Sequence, residues 1–93
     1  MKEVIKEWQD KLEISNWDIT TEKIEPEQIM YGGEDYFVGI AIDWDNQSGV
    51  IYHDIDLTED AVIHELLHVR YKDKDEDWIN ETTKQYLHSK YRY

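Results

Sequence analysis

"LTEDAVIHELLHVRYKDKDEDWINE", residues 57–81, decides the reading of this chain. Apolar residues recur at helical spacing on both sides of the polar break "KDKD" (72–75), which predicts two helices joined by a tight turn. Thr58 or Asp56 suits the cap of the first helix, and Glu59 and Asp60 suit the positive end of its dipole. That helix is expected to run to about Tyr71. Asp73 or Asp75 suits the cap of a second helix over residues 76–90.

The first helix carries His64, Glu65 and His68. Residues four apart share a helix face, so the two imidazoles can aim at one point. Zinc accepts imidazole nitrogen at about 2.0–2.1 Å. Glu65 lies about 100° further round the axis, too far to ligate easily yet near enough to reach a metal-bound water. A bound metal lowers the pKa of that water, and Glu65 is placed to take its proton. A shuffled chain of this composition would contain H-E-x-x-H roughly 0.015 times, so the match is specific enough to build on. Val62, Ile63, Leu66 and Leu67 form the apolar stripe that anchors the helix. The expectation is one zinc ion on His64 and His68, with Glu65 as general base.

A catalytic zinc site usually has three protein ligands and an open position. No third histidine follows at the spacing of the extended H-E-x-x-H-x-x-G-x-x-H pattern, in which Tyr71 would have to be glycine. An acid on the second helix is therefore expected, and two compete. Glu81 has the better depth: in an antiparallel hairpin turning near residues 73–74 it faces position 66, midway between the histidines. Glu76 has the better phase, at the edge of the inward stripe Ile79, Thr82, Thr83 and Tyr86.

Outward from this core, residues 3–14 place Val4, Ile5, Trp8, Lys11 and Leu12 on one stripe of an N-terminal helix. "SNWDITTEKI" (15–24) alternates as a strand. "EPEQIMYGGED" (25–35), with the sole proline and a Gly-Gly pair, reads as a turn-rich connection. "YFVGIAIDW" (36–44) is the strongest strand, with Tyr36, Val38, Ile40, Ile42 and Trp44 on one face. "DNQSG" (45–49) is a hairpin turn and "VIYHDI" (50–55) the return strand. The order helix, three strands, helix, helix predicts an α+β domain over residues 1–93, with helices on a small, mainly antiparallel sheet.

The chain has 93 residues, with 22 acidic against 10 basic side chains, a net charge of −12. A domain of this size has a thin core, and its charge disfavours nucleic acid and anionic membranes as partners. There is no cysteine, hence no disulfide or thiolate metal site. The charged N-terminus does not resemble a signal peptide, and no apolar run suffices to span a bilayer. A cytoplasmic protein is the default expectation.

"HELLH" followed by "WINE" resembles the gluzincin metallopeptidases, in which H-E-x-x-H precedes a helix carrying N-E or W-x-N-E. The element order and short length are similar to the minigluzincins, single-domain versions of that zincin-like catalytic core. The resemblance implies zinc on His64, His68 and Glu81, Glu65 as general base, and a peptide or protein substrate. The acid often found four residues after the third ligand is Gln85 here, which can still accept a hydrogen bond from a ligand imidazole. The spacing from His68 to Glu81 is shorter than in the large gluzincins, and the aminopeptidase G-x-M-E-N motif is absent. Regulator-cleaving peptidases of the ImmA/IrrE type share H-E-x-x-H with a later glutamate, and there Glu76 is the natural match. His88 is a candidate oxyanion donor. The aromatic tail "YLHSKYRY" is a candidate self-inhibitory segment, by resemblance to the minigluzincins. The competing expectation is a latent or non-catalytic zinc-binding interaction module, since a metal staple would do much for so thin a core.

Overall fold

The computed structural model describes residues 1–25 and 38–91. The elements run α1 (Lys2–Lys11), β1 (Asp18–Lys23), β2 (Val38–Asp43), β3 (Ser48–His53), α2 (Glu59–Arg70) and α3 (Glu76–Lys90). They form two compact units. The helices lie in Met1–Ser15 with Thr58–Tyr93, and the strands in Asn16–Leu57. Among the described residues no helix is long and apolar enough to cross a membrane.

The expected α+β composition is present, but the sheet is mixed rather than mainly antiparallel. Its strand order is β1-β3-β2. β2 and β3 form the expected hairpin, paired antiparallel from Val38↔His53 to Asp43↔Ser48. β1 pairs with β3 in parallel, from Asp18↔Ser48 to Lys23↔His53. The reason is topological. The chain between Lys23 and Val38 is long enough for β2 to start one strand position away from β1, and the tight hairpin then returns β3 into the gap. Gly49 lies at the centre of this arrangement. A Cβ there would meet the Cδ1 atoms of Ile19 and Ile40, each at 3.3 Å, so a bare backbone lets the neighbouring isoleucines close over β3.

Several boundaries shift from those expected. α1 ends at Lys11 rather than at residue 14, because Glu13 adopts a left-handed φ of 61°. The Ile14 amide then bonds back to the Gln9 carbonyl at 2.8 Å, closing the helix end. β3 starts two residues earlier than expected, after Gln47 turns the chain at φ 51°. Tyr36, Phe37 and most of the turn-rich connection lie outside the described residues.

Ile5, Trp8, Leu12, Val62, Ile63, Leu66, Leu67 and Ile79 are buried in the helical unit. A polar junction binds its three helices at one end. Glu59, in the first turn of α2, accepts hydrogen bonds from Trp8 Nε1 (2.6 Å), Lys90 Nζ (2.6 Å) and the Tyr91 hydroxyl. Lys90 also donates to Glu7 at 2.9 Å. Burial alone would push the Glu59 carboxyl up, but the bonds from Lys90, Tyr91 and Trp8 outweigh it and hold the pKa at about 2. The hydrogen bond to Glu59, ahead of that to Glu7, pushes the Lys90 ammonium up.

A carboxyl held below its ordinary value of 4.5 stabilises the fold above that pH and loses the contribution as pH falls towards about 2. Glu59→Gln is expected to lower stability by roughly 2 kcal/mol at pH 7. The gap to the wild type should shrink steadily below pH about 4.5, read from urea midpoints across a pH series.

Candidate metal centre

α2 starts where Thr58 accepts the Ala61 amide, and its first turn carries the expected acids. The helix is buried on most sides, through Val62, Ile63, Leu66, Leu67 and Val69. His64 and His68 lie on its remaining open strip, with side chains 22% and 26% exposed. Their rings are 5.1 Å apart between centroids. A ligand atom from each of His64, Glu65 and His68 can be chosen so that all lie within 4.8 Å of one another, a grouping able to hold a metal ion.

α3 begins after Asp75, whose carboxylate accepts the Trp78 amide at 2.9 Å. Its first residue, Glu76, reaches both histidines. Glu76 Oε1 accepts from His68 Nε2 at 2.6 Å, and Oε2 lies 3.3 Å from His64 Nε2. Two imidazole nitrogens and one carboxylate from the next helix therefore converge on one place. The structure does not bring Glu81 there. Glu81 is 69% exposed and lies 3.9 Å from Lys84.

Helical phase accounts for the difference. Ile79 and Thr83 are the buried residues of α3. Glu81 comes two residues after Ile79 and points about 200° away from it, whereas Glu76, three residues before, lies only about 60° off. The length of a glutamate side chain covers the difference in depth that favoured Glu81 in the sequence.

Glu65 is buried, and the loss of water around its carboxyl, with the charge of Glu76, pushes its pKa up to about 7. It takes part in no hydrogen bond among the described residues, yet none of their buried polar atoms lacks one. Its carboxylate oxygens therefore keep contact with solvent. A carboxyl poised near neutrality beside two histidines is suited to exchanging protons with a water molecule.

Gln85 and His88 are both exposed. Gln85 lines a groove of about 410 Å³ with Tyr71, Trp78, Glu81 and Tyr86. Tyr71 follows the last residue of α2. The structure stacks it edge-on against Trp78 at 5.0 Å, across the turn between α2 and α3. Of the tail, Tyr91 is hydrogen-bonded to Glu59, and Arg92 and Tyr93 lie outside the described residues.

Comparison with protein-family models, with curated proteins and with solved structures finds no match to this chain.

Proposed function

We propose that the chain is a zinc-dependent peptidase in which His64, His68 and Glu76 hold the metal and Glu65 is the general base. The observation that carries this reading is the bridging of both histidine Nε2 atoms by the Glu76 carboxylate, at 2.6 and 3.3 Å. Two nitrogens and one oxygen are a donor set that zinc takes in hydrolytic sites, with a fourth position left open. Zinc bonds of about 2.0–2.2 Å in a tetrahedral site put donor atoms about 3.4 Å apart. The His64–Glu76 separation is already near that value, and the His68–Glu76 contact needs to open by less than about 1 Å. The placement of Glu76 favours the regulator-cleaving pattern over the W-x-N-E pattern of the zinc aminopeptidases.

When bound, zinc would polarise a peptide carbonyl and acidify a water molecule. The protein's own part is borne by Glu65. Its raised pKa lets it accept a proton from water at neutral pH and return it to the leaving amine. The charge of Glu76 adds to the burial that raises this pKa. The net charge of −12 favours basic peptides over acidic ones.

A second reading has an observation of its own. The same contacts tie the start of α3 to α2, so a metal there would staple the helical hairpin without any catalysis.

Two outcomes test the proposal. Glu76→Ala should weaken zinc binding by about 100-fold or more, while Glu81→Ala leaves it within a fewfold of wild type, by calorimetric titration. Glu65→Gln should retain zinc yet lower hydrolysis of a peptide library at least about 100-fold. Tight zinc with strong thermal stabilisation and no cleavage by the wild type would establish the staple instead.

A further inference from the structure

The groove along α3 has a chemistry of its own. Tyr71 lines it together with one stripe of α3, Trp78, Glu81 and Gln85, and the Tyr71 and Trp78 rings meet edge-on at 5.0 Å. Along the chain, Tyr71 is three residues beyond His68, and Trp78 two beyond Glu76. Its volume, about 410 Å³, exceeds that of any single side chain and falls within the range of ligand pockets.

Among the described residues, Glu81 is the one carboxylate that lines it. The Glu81 carboxylate has one loose contact, 3.9 Å to Lys84, and no hydrogen bond among the described residues. Gln85, one turn further on, offers an amide carbonyl beside it. The aromatic wall attracts cations. Arg70 lies 5.0 Å from the Tyr71 ring centre, and Lys74 lies 5.2 Å from that of Trp78. Both cations are exposed, and neither has a carboxylate partner among the described residues.

From this we infer that the groove is a specificity pocket for an arginine side chain of the peptide. A guanidinium is planar, so it can stack on Trp78 or Tyr71 while its fork of N–H donors meets the Glu81 carboxylate side-on. Its remaining donors suit the Gln85 carbonyl. Lysine offers a point charge without the stacking plane or the fork, and fits less well. Glu81, which phase turns away from the histidines, thereby has a recognition role. The inference rests on the peptidase reading for the nature of its ligand as a peptide.

The test uses the full chain carrying Glu65→Gln, isotope-labelled for NMR, so that no peptide is consumed. The probes are three capped tripeptides that differ only in a central arginine, citrulline or norleucine. The arginine peptide is expected to shift the Trp78 indole and the Glu81 and Gln85 amides. It should bind about tenfold more tightly than its citrulline counterpart, which keeps the shape and loses the charge. Adding Glu81→Gln should erase that difference, and this exposed substitution leaves the core untouched. Equal affinity for arginine and citrulline, shifts centred elsewhere, or no shifts at all would overturn the inference. Hydrolysis by the wild type is scored separately. Arginine-selective shifts without hydrolysis remove the catalytic reading and keep the pocket. Hydrolysis indifferent to arginine does the reverse.

Discussion

The Glu59 carboxylate stands at the first turn of α2 and gathers donors from the other two helices: the Trp8 indole of α1, and the Lys90 ammonium and Tyr91 hydroxyl at the end of α3. It is the meeting point of all three helices. It matters because the chain has few cations to pair with its many acids, and because α2 is otherwise held by apolar side chains that resist sliding only weakly. Fixing the start of α2 against the end of α3 sets the register of the helical hairpin. The other end of that register is where Glu76 meets His64 and His68. The junction and the candidate centre are thus the two ends of one constraint.

Burial sets the chemistry at the second end. α2 is covered on most of its circumference, and the open strip holds the two histidines. Glu65, at the border of that strip, loses most of its water and is shifted towards neutrality. The same sequence interval therefore supplies the apolar packing that removes solvent and the titratable groups that respond to its removal. A more exposed helix with the same residues would keep Glu65 an ordinary carboxylate.

What could be read from the sequence was local. Spacing of four on one helix, capping residues and the polar break at 72–75 all act within a few residues, and the positions of α2 and α3 followed from them. The strands of the β2–β3 hairpin were legible for the same reason. The parallel pairing of β1 with β3 was not, because strand order is decided by contacts between segments about thirty residues apart. Glu7, Trp8, Glu59, Lys90 and Tyr91 likewise share no spacing that marks them as neighbours. The choice between Glu76 and Glu81 lay between these extremes. Depth and phase were both visible, and the reach of a glutamate side chain made phase the stronger guide.

Glu76 is the first residue of its helix, and the order of that turn depends on the Asp75 carboxylate capping the Trp78 amide. Ile79, the deeply buried anchor of α3, ends the same turn, its amide bonded to the Asp75 carbonyl at 3.0 Å. Fraying of that turn would carry Glu76 away from both histidines. On the proposed zinc reading, two of the donors would come from the buried α2 and the third from the first turn of α3. The affinity for a metal would then depend on the order of that one helical turn.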